Sequence, residues 1–322
     1  MKISLLAFIL LICACNPTKK NCLVKKAAFD VGSGSTKITV AEVNTCTHKI
    51  SKILHEDQAP VAYKDNLLKN NNSLSIDIIQ QGTLVLLAQK TKAIKLGATV
   101  FIGAATSAFR KAKNGKESIE SLSSRTEIPI QIITQQEEAD LGVLGVEAQK
   151  TFEGPYMVWD IGGGSSQITL KDGKKKIEYQ GNIASVSFKD LVMKIGNRRG
   201  ISPNPVGKEL ATKAKAELTE LIKKDLPKNL LPVPKETKVI GIGGVHYYSV
   251  KQQTKSRGHF TKDRIRKAIN QRVGLTDKQV GGNFAATDIT NLILVETFME
   301  LLGVNEIYPM RINMGYGLLI KH

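Results

Sequence analysis

The sequence repeats one pattern, as AAFDVGSGSTK at residues 27–37 and as MVWDIGGGSSQ at residues 157–167. In each copy an apolar run ends in an aspartate, and a turn of glycine and serine follows. Because such a turn has no bulky side chains, its backbone N–H groups can close on phosphate oxygens while the serine hydroxyls add donors. A single glycine-rich turn would be a weak signal. The repetition predicts two half-sites that face one metal-bound polyphosphate chain.

The polar groups of these turns and of a later glycine pair form the predicted phosphate-binding set. It contains Gly32, Ser33, Gly34 and Ser35 of the first turn, Gly162, Gly163, Gly164, Ser165 and Ser166 of the second, and the pair Gly243 and Gly244. The aspartates before the turns, Asp30 and Asp160, are the predicted metal ligands, which position Mg²⁺ or another divalent cation through water. If these residues only cap ordinary turns, no site remains.

The segments after each turn alternate between strand and helix patterns. After the first turn, apolar periodicity predicts a strand over 49–56, a helix over 76–96, a strand over 99–104 and a helix starting at Glu137. A second round begins at Tyr156 with strand, glycine turn and strand. Two copies of a strand-turn-strand unit, each followed by α/β units, predict a duplicated α/β domain with a cleft between the halves.

Length and charge limit the class of protein. The chain has 322 residues, 42% of them hydrophobic and 23% charged, with a net charge of +17. This length suits two domains and a substantial core. The positive charge indicates a solvated surface near an anionic membrane or wall, or a field that concentrates a polyanionic substrate. With 5% aromatic residues and no recognised basic-aromatic module, nucleic acid is not an expected partner.

The first residues have the pattern of an export signal. Lys2 supplies a positive charge, residues 3–12 form an apolar stretch too short to span a bilayer, and the small residue before Cys15 resembles a bacterial lipobox. We therefore predict a lipoprotein signal peptide over 1–15, lipidation of Cys15 and a tether over 16–24. The alternative is an ordinary cleaved signal peptide with a coincidental cysteine. Either interpretation places the folded part outside the cytoplasm, with a periplasmic, outer-membrane anchor favoured.

An oxidising compartment changes how Cys22 and Cys46 are interpreted. If the segments around the turn at 32–35 form a hairpin, antiparallel pairing places residues whose numbers add up to about 67 opposite each other. The two cysteines nearly satisfy that sum. The sequence therefore predicts a Cys22–Cys46 disulfide at the open end of the hairpin, with two unpaired thiols as the alternative.

Two segments between the turns carry a family resemblance. ATSAFRKAKN at 105–114 and TQQEEADLGVLGV at 134–146 are similar, in order and spacing, to segments of the exopolyphosphatase/guanosine pentaphosphate phosphohydrolase (Ppx/GppA) family of the actin/Hsp70/sugar-kinase superfamily. The resemblance covers about residues 26–319. It implies duplicated ribonuclease H-like, actin-like domains: domain I over 25–138 plus about 304–322, and domain II over 139–303. Independently of the resemblance, the pattern along the chain predicts a strand near 306–309 that could cross back to the first half.

The same resemblance implies roles for individual residues. Glu138 matches the family's glutamate that orients and deprotonates water, and Arg110 matches its phosphate-contacting arginine. Thr106 and Ser107, just before that arginine, join the phosphate-binding set. The alternatives are a helix N-terminal acid favoured by the dipole for Glu138 and a surface cation for Arg110.

Several positions depart from the family pattern. Gln167 stands where the family usually has glutamate, Asp140 where arginine is common, Val245 where threonine follows the glycine pair, and MGYG at 314–317 where Arg-Glu-Gly is frequent. One interpretation of these losses is a binding protein that no longer turns over.

The apyrases of the same superfamily offer another interpretation, because their corresponding motif also ends in glutamine. In that case Gln167 would help to hold the attacking water while Glu138 remains the base. The VHYYS stretch at 245–249 is similar to their aromatic segment, so Tyr247 or Tyr248 would stack on a nucleobase. Buried core tyrosines are the alternative for these two residues.

These observations together predict an exported phosphohydrolase that cleaves terminal phosphoanhydride bonds with Mg²⁺. The expected substrate is inorganic polyphosphate. Guanosine pentaphosphate is disfavoured because it is a cytoplasmic signal. An apyrase-like nucleotidase and a non-catalytic polyphosphate or nucleotide binding protein are the alternatives, and whether the chain forms a homodimer stays open.

Overall fold

The computed structural model describes residues 22–321. The predicted signal peptide, the lipidation site Cys15 and nearly all of the tether lie outside this range. The tether was predicted to reach residue 24, but the first strand begins at Leu23, where backbone pairing with the next strand already starts. Within residues 22–321, no helix is both long and apolar enough to span a bilayer.

The strands in the described part of the chain form two sheets. They are β1 (Leu23–Val31), β2 (Ser35–Asn44), β3 (Lys49–Pro60), β4 (Val100–Ala105), β5 (Ile130–Ile132), β6 (Tyr156–Ile161), β7 (Ser166–Asp172), β8 (Lys175–Gly181), β9 (Lys238–Ile242), β10 (Phe260–Thr261) and β11 (Glu306–Pro309). The first sheet has the order β3-β2-β1-β4-β5, and the second has the order β10-β11-β9-β6-β7-β8. Read in the direction β8-β7-β6-β9-β11, the second sheet has the same strand arrangement as the first. It has one additional strand, β10, at the edge next to β11.

Helices cover both sheets and fill the space between them. They are α1 (Tyr63–Lys69), α2 (Ile76–Lys95), α3 (Ser107–Lys111), α4 (Gly115–Thr126), α5 (Gln135–Glu147), α6 (Ser185–Ile195), α7 (Lys208–Asp225), α8 (Lys251–Gln253), α9 (Lys262–Arg272), α10 (Asp277–Val280), α11 (Asp288–Leu302) and α12 (Met314–Lys321). A π-helix over Val245–Val250 follows the glycine pair at the end of β9. The architecture is the predicted duplicated α/β fold.

The N-terminal hairpin has the register that the sequence predicts. Asp30 lies opposite Lys37, and the two strands stay paired down to Leu23 opposite Asn44. Cys22 and Cys46 are joined by a disulfide with their Cα atoms 5.5 Å apart. The bond closes the open end of the hairpin, next to the point where residues 1–21 enter the fold.

Two helices lie between the sheets and connect them. α12 packs against β1 and β2, α5 packs against β6 and β7, and the two helices pack against each other. Their backbones approach so closely that a Cβ on Gly317 would lie 2.1 Å from the carbonyl oxygen of Leu141. A substituted Gly317 would therefore push the two helices, and with them the two sheets, apart.

The predicted path of the chain near its C-terminus was wrong in one respect. We expected the strand at Glu306–Pro309 to cross back to the first half, but it pairs in parallel with β9 inside the second sheet. The second half needs this strand because its sheet otherwise lacks the counterpart of β5. Only the following helix, α12, returns to the first sheet.

A neutral histidine lies in the core of the second domain. The His246 ring is fully buried, with its centroid 4.7 Å from that of Trp159 and 6.2 Å from that of Phe260. Neither ring nitrogen has a hydrogen-bond partner among residues 22–321. Burial lowers the pKa of His246 to about 3, so the folded protein keeps the ring neutral at pH values where an unfolded histidine takes up a proton.

This histidine predicts acid sensitivity. Below about pH 6.5, His246 is protonated in the unfolded chain but stays neutral in the folded protein. The free energy of unfolding therefore falls by about 1.4 kcal/mol for each unit of decrease in pH from this group alone. His246→Phe removes the titration and keeps an aromatic ring in the core. Urea unfolding between about pH 6 and pH 4 should therefore show a steeper loss of stability for the wild type than for the variant. Parallel pH dependences in the two proteins would contradict this account.

Candidate active site

The two glycine turns have the same geometry and face each other between the domains. In the first, the N–H of Gly32 donates to the carbonyl of Ser35 at 3.0 Å, and in the second the N–H of Gly162 donates to that of Ser165 at 3.0 Å. A Cβ on Gly164 would lie 3.4 Å from Ser33 Oγ in the first turn. The two half-sites predicted from the repeated pattern are thus in contact.

Each turn is held by the helix that follows its three strands. The N–H of Lys64, in α1, donates to the carbonyl of Ser33, and the N–H of Val186, in α6, donates to that of Gly163, both at 2.9 Å. A Cβ added to Gly34 or to Gly244 would meet no atom within 4 Å. The turns are therefore anchored on one side and leave room for a ligand on the other.

A lysine that the sequence analysis did not single out lies at the centre of the site. Lys37 Nζ lies 2.9 Å from Asp30 Oδ2, as the cross-strand pairing of these residues requires. Burial alone would lower the pKa of Lys37, but Asp30, Asp160 and Glu138 raise it above its usual value. The ammonium group is thus fixed in its charged form among three carboxylates, where phosphate oxygens can also reach it.

The second half has a different residue in the equivalent position. Asp160 pairs with Gln167 as Asp30 pairs with Lys37, so both members of each pair project from the same face of their sheet. Gln167 is 2% exposed, and its Nε2 has no hydrogen-bond partner in the part of the chain that the structure describes. An unpaired buried amide donor is costly unless a ligand or water satisfies it. The departure from glutamate therefore provides a donor that fits a water molecule or a phosphate oxygen.

The predicted base and arginine form an ion pair. Arg110 Nη2 lies 2.9 Å from Glu138 Oε2, and Arg110 Nη1 donates to the carbonyl of Ile133 at 2.8 Å. Thr134 caps α5 and forms a capping box with Glu137, which places Glu138 in the first turn of the helix. The neighbouring Glu137 is thus the structural acid, and Glu138 is the one that points to the arginine.

Burial sets the protonation of two carboxyls in this cluster. Burial raises the pKa of Glu138 to about 7, against the opposing effect of Arg110 and with a further increase from Asp160. Burial also raises the pKa of Asp160 to about 6, while Lys37 lowers it and Asp30 raises it. A carboxylate with a pKa near neutrality matches the requirement for a general base at physiological pH.

The remaining predicted donors differ in what they can offer. Thr106 immediately precedes α3, Ser107 begins it, and both are buried. A Cβ on Gly164 would lie 3.0 Å from Ser107 Oγ. Ser35 Oγ accepts a hydrogen bond from Gln58 Nε2 and so keeps its own proton available. Ser166 does not suit the predicted donor role, because its hydroxyl already donates to the carbonyl of Ile183 at 2.8 Å.

Two other departures from the family pattern lie in different surroundings. Asp140 is exposed and ion-paired with Lys176, two residues beyond Glu138 in α5 and on the surface. Val245 begins the π-helix, in which Tyr248 is 48% exposed, so Tyr248 is not a core tyrosine. Tyr248 interacts with Arg311, whose Nη2 lies 2.9 Å from Glu56 Oε2 of the first domain.

The carboxylates fit a divalent cation that shares its coordination with a substrate. Within residues 22–321, no group of three His, Cys, Asp or Glu side chains can hold a metal by itself. Mg²⁺ usually takes one or two protein carboxylates, with waters and phosphate oxygens completing its shell. Asp160 suits this role because it forms no salt bridge in the described part of the chain, whereas Asp30 is already paired with Lys37. A Cβ on Gly243 would lie 2.4 Å from Asp160 Oδ1, so only glycine leaves that carboxylate accessible there.

The chain contains two copies of one α/β domain, and the aspartate-glycine turns of the two copies face each other. This arrangement places the chain in the class of two-domain actin-like proteins. Within that class, it belongs to the Ppx/GppA phosphatase family, whose model matches residues 39–279. The structure of the Ppx/GppA family member from Aquifex aeolicus is similar to this one, with a TM-score of 0.74 and 20% sequence identity. The alignment covers 93% of this chain and 97% of the Aquifex aeolicus chain.

Curated relatives match shorter stretches of the chain. The bifunctional 3-dehydroquinate synthase/phosphatase of Fusobacterium nucleatum is 31% identical over 171 residues, which are 50% of this chain and 25% of that protein. The guanosine-5'-triphosphate,3'-diphosphate pyrophosphatase of Vibrio campbellii is 29% identical over 150 residues, 46% of this chain and 29% of that protein. The matched part is therefore less than a third of each of these relatives.

Proposed function

We propose that this chain hydrolyses terminal phosphoanhydride bonds, with inorganic polyphosphate as its substrate. The observation that carries the proposal is the pair Glu138–Arg110 beside two facing glycine turns, because it combines a base, a cation and a phosphate cradle. Hydrolysis of a phosphoanhydride needs these three components and little else from the protein. Membership in a phosphatase family supports the same assignment.

In the proposed reaction, a water molecule attacks the terminal phosphorus and Glu138 accepts its proton. The new P–O bond forms as the bridging P–O bond breaks, and the electron pair of the broken bond stays on the shortened chain. Arg110 and Lys37 stabilise the negative charge on the equatorial oxygens, and the amide of Gln167 donates to the water or to a phosphate oxygen. The products are orthophosphate and a chain shorter by one unit.

A divalent cation would fit this site at Asp160, whose carboxylate interacts electrostatically with that of Asp30. Mg²⁺ would supply neutralisation of the phosphate charge when it is bound. Lys37 already supplies one fixed positive charge among the carboxylates. Because Lys37 pairs with Asp30, we propose that the cation contacts the second-domain aspartate more directly than the first.

A nucleotide substrate is the second candidate, and one observation favours it. Tyr248 presents a half-exposed ring next to the glycine pair, and Lys251 Nζ lies 4.0 Å from the centroid of the neighbouring Tyr247 ring. Such a ring can stack on a nucleobase. Polyphosphate remains the first proposed substrate, because the net charge of +17 favours the binding of a long polyanion.

We also propose that the protein is exported and anchored by lipid at Cys15 in the periplasm, with the outer membrane favoured. The support for this is the N-terminal sequence and the disulfide of Cys22 with Cys46, which suits an oxidising compartment. Mass spectrometry of the protein recovered from membranes would test the lipidation directly. A mature N-terminus other than Cys15, or an unmodified Cys15, would overturn it.

The experiment that tests the function is phosphate release by the full chain in detergent, with Mg²⁺, on polyphosphate and on ATP in parallel. Faster turnover of polyphosphate supports the first proposal, and faster turnover of ATP selects the nucleotidase. In the second case, Tyr248→Leu should raise the KM for ATP and leave that for polyphosphate unchanged. Ligand binding without phosphate release from either substrate would contradict hydrolysis and indicate a binding protein.

The pH dependence follows from the raised pKa of Glu138. Glu138 must be deprotonated to act as a base, so kcat should fall as the pH drops below about 7. Burial raises the pKa of Asp160 to about 6 in the metal-free protein, and Mg²⁺ bound to that carboxylate would lower its pKa, so excess Mg²⁺ leaves Glu138 as the group that sets the acidic limb. A pH profile of kcat in excess Mg²⁺, with circular dichroism at each pH to confirm folding, measures this effect. An unchanged rate from pH 8 down to about pH 5 would exclude Glu138 as the base.

A further inference from the structure

The outer face of α2 carries apolar side chains that no other described element covers. Ile76, Leu84, Leu87 and Ile94 are 82%, 63%, 39% and 54% exposed. From Leu84 to Ile94 this stripe is about 15 Å long, at 1.5 Å per residue. The opposite side of the helix packs into the first domain through residues such as Leu86. A surface helix that is apolar on both sides indicates that its outer side contacts another apolar medium.

The charges along the C-terminal half of α2 are all positive. Residues 84–95 contain three lysines and no aspartate or glutamate. Lys90 bonds to the carbonyl of Thr126 and to Glu127, but Lys92 and Lys95 are exposed and form no salt bridge within residues 22–321. An apolar stripe flanked by unpaired lysines complements an anionic lipid surface.

The chain enters the fold at the same end of this helix. A Cβ on Gly97, just after α2, would lie 3.3 Å from Lys25 Nζ, and the N–H of Thr99 donates to the carbonyl of Lys25 at 3.0 Å. The seven residue steps from Cys15 to Cys22 reach at most about 25 Å. The apolar stretch at 3–12 and Cys15 are thus connected by a short segment to the part of the domain where Lys95 and Ile94 are exposed.

We propose that the α2 face, formed by Leu84, Leu87, Ile94, Lys92 and Lys95, rests on the surface of an anionic lipid bilayer. The apolar side chains enter the boundary between headgroups and acyl chains, and the two lysines bind lipid phosphates. Asp30 lies seven residues along β1 from the entry point of the chain, which is about 23 Å at about 3.3 Å each. The proposal does not depend on the reaction that the site performs.

The test uses fluorescence of the full chain reconstituted in vesicles of phosphatidylcholine and phosphatidylglycerol with brominated acyl chains, which quench nearby tryptophan. The chain contains one tryptophan, the fully buried Trp159, which gives a constant background. Leu87→Trp places a reporter on the α2 face, and Phe284→Trp, at a 74% exposed position of the second domain, is the matched control. We expect loss of the added emission for Leu87→Trp and none for Phe284→Trp.

The lysine contribution is tested in the Leu87→Trp background. Each lysine near an anionic surface contributes about a fivefold increase in binding, so Lys92→Glu with Lys95→Glu should remove most of the quenching. Lys267→Glu with Lys278→Glu, exposed lysines of the second domain, makes the same charge change elsewhere and should leave it intact. Phosphate release or circular dichroism in detergent verifies that all variants fold.

Three results would overturn the proposal. One is equal emission of Leu87→Trp in brominated and unbrominated vesicles. Another is equal quenching of Leu87→Trp and Phe284→Trp, which would mean contact without a preferred face. The third is a concentration-dependent blue shift of Leu87→Trp with dimer formation and no quenching, which would assign the face to a second copy of the chain.

Discussion

Glu138→Gln is expected to lower kcat for phosphate release by about 10²–10⁴-fold, the usual contribution of a positioned general base. Glutamine has the same shape as glutamate and can still bind Arg110, but it cannot accept a proton from water. Since the substrate contacts of the turns remain, KM should change little, which is the pattern of an interaction that acts in the transition state. Steady-state phosphate release on polyphosphate measures both constants.

The matched control for this prediction is the neighbouring residue. Glu137 accepts hydrogen bonds from the N–H and the hydroxyl of Thr134, and glutamine serves equally well at this position of a capping box. Glu137→Gln should therefore retain nearly all of the activity and stability. If both variants lose activity equally, the helix start is sensitive to any change, and the assignment of Glu138 as the base loses its support.

The fold followed from the sequence because it rests on local patterns that occur twice. Each apolar run that ends in an aspartate became a strand, and the predicted register of the first hairpin agrees with the pairing of Asp30 with Lys37. The position of Glu306–Pro309 could not be predicted in the same way. A four-residue parallel strand is specified by the strand that it pairs with, here β9, and its own sequence carries no sign of which strand that is.

The composition of the site was only partly predictable. The position of Lys37 could have been predicted, because the rule that pairs Cys22 with Cys46, by the sum of their residue numbers, also places Lys37 opposite Asp30. The hydrogen bond of the Ser166 hydroxyl could not have been predicted, because its acceptor, the carbonyl of Ile183, belongs to a residue farther along the chain. The interpretation of Gln167 also depends on the fold. The sequence shows only the loss of a charge relative to glutamate, whereas the structure shows a buried amide donor without a hydrogen-bond partner among the described residues.

Arg110→Gln is expected to lower kcat/KM by about 10- to 100-fold, since hydrogen bonds to charged groups contribute about 1.5–3 kcal/mol. A second effect separates this residue from a simple phosphate ligand. Arg110 opposes the burial that raises the pKa of Glu138 to about 7, so its removal should raise that pKa further. The acidic limb of the kcat profile should then move to higher pH, and part of the activity should return as the pH is increased.

Two further variants show which of these effects belongs to the charge and which to the shape of the side chain. Arg110→Lys keeps the positive charge beside Glu138 but lacks the planar fork that binds two oxygens, so the limb should stay near pH 7 while kcat/KM still falls. Arg125→Gln removes an exposed arginine of α4 and should change neither quantity. If Arg110→Gln lowers the rate without moving the limb, Arg110 and Glu138 are not electrostatically coupled in the working enzyme. In that case the ion pair of 2.9 Å between them opens before the substrate reacts.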